Sequence, residues 1–293
     1  MKISYNEACG LGSSTLEQDL ELCEKAGFDY IEIRFDMLME YLRNHKVEEL
    51  AEYFDTHQIK PHAFNALYLY PEFLREDDDP KRRAFLLGQF LHGCQIGQRI
   101  GNHHMIVVPP FLDGPNYEAF PGTEEENNAN CVRMLTELGR IGQQYDMKLC
   151  FELVGFPRSS VRTVENAKRI VEAVNLDNVG YVFDAYNIYL YGGENDYNSM
   201  KSVEGKKIFA IHLNSADDVP ERERKQEKRC FVDHGVVDIQ RFLEILKETG
   251  YEGMCSIETF RPEYWARNPQ WVVENAYKTT YEAMKKAGCL GGA

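Results

Sequence analysis

The sequence runs to 293 residues, 43% hydrophobic and 27% charged, with 22 glycines and 11 prolines, a make-up that excludes collagen-like and disordered classes. Its formal net charge of −14 repels phosphate backbones, so nucleic acid is a disfavoured partner. The opening MKISYNEACG has no apolar leader core and no later run nears the ~20 apolar residues that cross a bilayer, so a cytoplasmic protein with no membrane partner is expected.

In chain order, the β-rich run KISY precedes a helical pattern from Leu16 to Ala26, where Leu16, Leu20, Leu22 and Cys23 recur at helical spacing and Gly27 supplies the stop. YIEIR leads to a helix from Val47 to Thr56, PHAFNA to one from Lys81 to Ile100, and HMIVV to one from Glu124 to Tyr145. KLCFELV then precedes a helix from Val164 to Val174, with a short turn at Asn178 before VGYVFDA. After a weak helical stretch near Ser199 to Val203 come IFAIHLN, a helix from Ile239 to Thr249, a turn at Gly250, MCSIE, and a last helix after Asn268. The eight cysteines are scattered without a CxxC pair, several in apolar runs such as KLCFEL, which reads as buried reduced thiols.

Eight strands alternating with helices, and no GxGxxG after the first strand, argue for a parallel sheet closed into a (β/α)8 TIM barrel, one domain over residues 1–293. Long segments follow strands at Ala66 to Pro80, Pro109 to Thr123, Ala185 to Ser199 and Asn214 to Asp238, placing function at the C-terminal mouth. The last of these carries ERERKQEKR, a charge run whose commonest meaning is a solvated face.

Four apolar runs stop at an acid or imidazole: Glu152 in CFELVG, Asp184 in YVFDAY, His212 in AIHLNS and Glu258 in CSIETF. Their separations of 32, 28 and 46 residues approximate one βα unit each, so the four side chains are expected to converge on one mouth. Taken singly, each acid is as readily a helix N-cap, and His212 a hydrogen-bonded core residue like His62, His103 and His104. Three ionised carboxylates in one pocket raise each other's pKa and require a counter-charge. A divalent cation supplies it: oxygen-rich ligation with one nitrogen favours Mn²⁺, Mg²⁺ or Co²⁺ and admits Zn²⁺.

The stretches YNEACGL, DLELCEKAGFDYIEIR, AEYFDTHQIKP, FNAL, FELVG, NVGYVFD, GKKIFAIH and ETFRPEY resemble the xylose-isomerase-like barrel superfamily of sugar isomerases and epimerases, and within it the inosose isomerases of inositol catabolism. The resemblance implies metal ligation by Glu152, Asp184, His212 and Glu258, manganese first among the metals, with Glu152 and Glu258 moving protons. It further implies isomerisation of a keto-inositol, 2-keto-myo-inositol to 1-keto-D-chiro-inositol, through a cis-enediolate.

Two positions depart from that family's pattern. Its usual D-x-x-H after strand 6 ends here in Asn187, which hydrogen-bonds but cannot act as an acid near neutral pH. Arg229 and Gly235 match, whereas Val232-Asp233 replaces a Pro-Gly pair. Arg229 and Asn187 are candidate contacts to substrate oxygens, as is Asn65, read as the end of strand 3; Tyr264 and Trp265 either wall the pocket or pack a loop. Alternative readings are a ketose 3-epimerase, a lyase on an oxidised sugar, or a non-catalytic sugar-binding barrel; an apurinic-site endonuclease conflicts with the charge. The partner is a small keto-polyol or ketose, and the oligomeric state stays open.

Overall fold

A computed structural model describes residues 1–70, 79–112 and 118–290. Parts of two long segments expected after strands 3 and 4, residues 71–78 and 113–117, and the last residues 291–293 lie outside the described residues.

The barrel strands are β1 (Lys2–Asn6), β2 (Tyr30–Arg34), β3 (Lys60–Tyr68), β4 (His104–Val108), β5 (Lys148–Glu152), β6 (Val179–Asp184), β7 (Ile208–Leu213) and, after a short ribbon, β10 (Met254–Ile257). They close in the order β1-β10-β7-β6-β5-β4-β3-β2, every pair parallel. Strands β6 and β7 are buried at every residue, because helices cover the outside while side chains fill the inside; this is why they read as continuous apolar runs.

The covering helices are α1 (Leu16–Ala26), α3 (Val47–Thr56), α4 (Pro80–Ile100), α5 (Glu124–Gln143), α6 (Val164–Val174), α8 (Ile239–Glu248) and α10 (Pro269–Lys286). Their ends follow local chemistry. Thr15, Thr123, Thr163 and Asp238 accept hydrogen bonds from the main chain of the first turns of α1, α5, α6 and α8. In α8, Ile239, Phe242, Leu243, Ile245 and Leu246 are buried, one apolar stripe pressed on the barrel and worth roughly 1.5–3 kcal/mol per large side chain. The turn into β6 is made by Asn175, left-handed at φ 50°. The expected turn residue, Asn178, instead ties the barrel together, donating through Nδ2 to the carbonyls of Gly139 and Met147.

The sixth unit has no long helix: it carries α7 (Ala185–Leu190) and a 3₁₀ turn at Asn198–Ser202, where the sequence reads weakly. Short helices α2 (Phe35–Tyr41) and α9 (Pro262–Trp265) follow β2 and β10. After β7 the chain forms an antiparallel ribbon, β8 (Ser215–Ala216) with β9 (Arg229–Cys230), pairing Ala216 with Arg229. Gly235 closes this ribbon at φ 101°, where any Cβ would meet Ser215 Oγ at 2.4 Å and the Ala216 carbonyl at 2.5 Å.

Candidate metal centre and active site

Barrel register sets the height of the site. Asp184 and His212 stand side by side on β6 and β7, Glu152 ends β5, and Glu258 follows the last residue of β10, itself level with Leu213. One donor atom from each of Glu152, Asp184, His212 and Glu258 lies within 4.8 Å of the others. All four side chains are buried.

Five more side chains close around them. Asn187 donates to Glu152 Oε1 at 2.9 Å, and Asn214 to Asp184 Oδ2 at 2.8 Å. Arg229, 1% exposed, places Nη1 2.7 Å from Asp184 Oδ2 and 2.6 Å from Glu258 Oε2. Asn6 and Asn65 each donate to Glu258 Oε1 at 3.0 Å. The Arg229 result corrects the solvated reading of the charge run: residues 221–223 and 226–228 are surface 3₁₀ turns, but β9 folds the arginine inward.

The charges shift one another. Burial pushes the Glu152 carboxyl up to about 7, with His212 opposing and the negative charges of Glu258 and Asp184 adding. Burial also raises Asp184, against the pull of Arg229. For His212 burial disfavours the imidazolium, yet Glu258 and Glu32 outweigh it and hold the ring well above its ordinary value. Burial works against the Arg229 charge too, and Asp184 and Glu258 keep it protonated.

One atom tests whether a cation fits. His212 Nδ1 is buried with no hydrogen-bond partner, 3.4 Å from Glu152 Oε1, 3.4 Å from Glu258 Oε2 and 3.9 Å from Asp184 Oδ2. A ring nitrogen aimed among three carboxylates is a donor set suited to a divalent ion.

The cluster opens into a cavity of about 160 Å³ whose lining includes Asn65, Asn187, Gln226, Arg229 and Phe260. That is smaller than the ~300–1,000 Å³ of drug-sized sites and suits a small polyol. A larger surface groove of about 550 Å³, lined by Phe156, Pro220 and Arg222 among others, holds none of these carboxylates.

The sequence-derived residues therefore meet, with adjustments. Strand β3 continues past Asn65 to Tyr68, and the Asn65 amide is engaged by carboxylates. Asp184 is both a strand end and the N-cap of α7, accepting the Asn187 N–H through Oδ1 at 2.7 Å. Tyr264 packs face to face on Phe231 at 4.2 Å and Trp265 Nε1 donates to the Ala8 carbonyl, so both brace loops. His62 is buried, and burial first, then the His212 charge, lowers its pKa to about 3; burial likewise lowers His104 to about 3. Asn6, Asn214 and Glu32 were not anticipated from sequence. In YIEIR, Glu32 sits between Ile31 and Ile33, and only the closed barrel makes that alternate face an interior one.

Residues 20–282 match the family described as xylose isomerase-like TIM barrel. An inosose isomerase of Bacillus subtilis is 38% identical over 287 residues, 98% of this chain and 99% of the relative. One from Bacillus velezensis is 37% identical over 98% of both. A crystal structure at 1.8 Å of the IOLI protein with a bound zinc atom superposes with a TM-score of 0.89 at 38% identity, covering 98% of this chain and 99% of that one. The chain belongs to the xylose isomerase-like TIM barrel family, in the company of its inosose isomerases.

Proposed function

We propose that this protein is an inosose isomerase that converts 2-keto-myo-inositol to 1-keto-D-chiro-inositol, with Glu152 and Glu258 as the proton-transfer pair. The observation that carries the reading is His212 Nδ1, buried without a partner among three carboxylates, two of which, Glu152 and Glu258, line a cavity of polyol size. Glu152, Asp184, His212 and Glu258 would hold one divalent cation, manganese by first preference with magnesium, cobalt or zinc as alternatives. Such an ion supplies Lewis acidity that stabilises negative charge on the ketone oxygen and its neighbouring hydroxyl as the cis-enediolate forms.

One glutamate removes the α-proton and the other returns a proton at the neighbouring carbon. Glu152 lines the cavity, its carboxyl held by the Asn187 amide. Glu258 is held in place by two amides and a guanidinium. Asn187 Oδ1 is buried without a partner and is available to a substrate hydroxyl; Asn65 and Arg229 line the same cavity and are assigned to orient substrate. Eight free buried thiols agree with a reducing, cytoplasmic setting, and the small-molecule partner is a keto-polyol.

A second reading, a ketose 3-epimerase or lyase, is favoured by Asn187 standing where the family's usual histidine would be. Proton NMR in D₂O separates the two. Incubation with Mg²⁺ or Zn²⁺ is expected to exchange the α-proton of 2-keto-myo-inositol and generate its isomer, whereas exchange confined to a ketose would replace the first reading.

A further inference from the structure

We propose that Glu32 is a positioning residue that fixes which nitrogen of His212 is presented to the metal; the inference rests on the metal-dependent reading above. Glu32 sits at the centre of β2, which is not a neighbour of β7 in the closed sheet. Its contact with His212 therefore crosses the barrel interior. Glu32 Oε1 and Oε2 lie 3.0 and 3.2 Å from His212 Nε2, and both side chains are fully buried.

A carboxylate only accepts, so the hydrogen in this contact belongs to Nε2. A cation is bound only by the neutral ring, and with the Nε2 hydrogen kept on Glu32 its lone pair is then on Nδ1, the atom that faces Glu152, Asp184 and Glu258 without a partner. A carboxylate on the remote nitrogen of a ligating imidazole also turns the ring and raises its basicity.

The orientation of Glu32 is itself determined. Its Oε1 accepts from Asn6 Nδ2 at 2.9 Å and from Asn65 Nδ2 at 2.7 Å, and both amides also reach Glu258 Oε1. Two asparagines thus lock the residue behind the histidine to a metal-ligand carboxylate in front of it. His62 is a further titratable neighbour, its Nδ1 3.8 Å from Glu32 Oε2 and 3.2 Å from Ser4 Oγ, and Cys150 and Tyr251 also feel the Glu32 charge.

Zinc is the probe, being diamagnetic and readable without turnover. In the ¹⁵N-labelled, zinc-loaded parent, long-range ¹H–¹⁵N correlations are expected to show His212 protonated at Nε2 and metal-bound at Nδ1; coordination through Nε2 overturns the proposal. Titration with Zn²⁺ is expected to show Glu32→Gln binding ~10–100-fold more weakly than the parent, with Glu32→Asp between them. A folded Glu32→Gln with parental zinc affinity also overturns it. If Glu32→Gln does not fold, the parent spectrum decides alone. A parent that binds zinc through His212, with Glu32→Gln unaffected, removes only the positioning role; a parent that binds no zinc removes the metal reading and this inference together.

Discussion

Arg229 offers a quantitative test of how the site balances its charges. Arg229→Met keeps much of the apolar stem but deletes the guanidinium that bonds Asp184 at 2.7 Å and Glu258 at 2.6 Å. It also removes the cation lying 5.8 Å from the Tyr186 ring centre and 5.4 Å from that of Phe260. Breaking one side of a buried ion pair costs about 3–5 kcal/mol, because the other side keeps an uncompensated charge. At about 2–4 °C per kcal/mol for large domains, Tm in excess chelator is expected to fall by ~6–20 °C.

A divalent ion bound to the same carboxylates supplies the missing positive charge, and a ligand at 100 times its Kd adds about 2.7 kcal/mol to stability. The deficit of the variant in saturating Zn²⁺ is therefore expected to be much smaller than in chelator. Scanning fluorimetry of parent and variant under both conditions measures it. A fall below ~3 °C in chelator, or an equal deficit with and without zinc, refutes the charge-balance argument.

Glu152→Gln and Glu258→Gln are each expected to lower turnover at least ~10²-fold with metal saturating; parental kcat in either removes that residue from proton transfer. Asp184→Ala and His212→Ala are expected to lose the bound ion, checked by metal content after dialysis, and full occupancy in both would dismantle the proposed centre. Asn187→His is expected to preserve or raise inosose isomerisation, since imidazole can also donate to Glu152; a loss there of about 1–3 kcal/mol in kcat/KM would mark a fitted amide contact instead. Away from the site, burial pushes Asp19 from 3.8 up to about 7, opposed by its bond from Ser14. The folded state thus retains a proton that the unfolded chain loses, a contribution present below about 4 and lost as pH rises through about 7. Asp19→Asn is expected to stabilise by at least ~1 kcal/mol more at pH 8 than at pH 5 in urea unfolding, and equal effects at the two pH values would contradict this.

The convergence of Glu152, Asp184, His212 and Glu258 was legible because a parallel barrel buries both faces of its strands, so an apolar run that ends on Glu152 or Asp184 marks the mouth. The same continuity hid α7: VGYVFDAYNIYL is apolar through both strand and helix, and periodicity cannot separate the two in so short a run. Arg229 was ambiguous for the opposite reason. It is the last residue of ERERKQEKR, and local composition carries no sign that the ribbon pairs it with Ala216 and turns it inward. Glu32 was silent because its partners are 26, 33 and 180 residues away, and no local rule in YIEIR says that its alternate face looks into a barrel.

The place where the sequence departs from the family pattern is also where backbone and site chemistry join. Asp184 uses Oδ1 to cap α7 through the Asn187 N–H and offers Oδ2 to the charged cluster. Asn187 receives that cap on its main chain while its side chain holds Glu152. The first turn of α7 therefore ties together two clustered carboxylates from different strands, Asn187 reaching Asp184 through its main chain and Glu152 through its side chain. An amide there positions Glu152 without adding a titrating group, which leaves Glu152 and Glu258 as the proton carriers in the proposed reaction. With that division of labour the proposed chemistry needs no histidine at position 187.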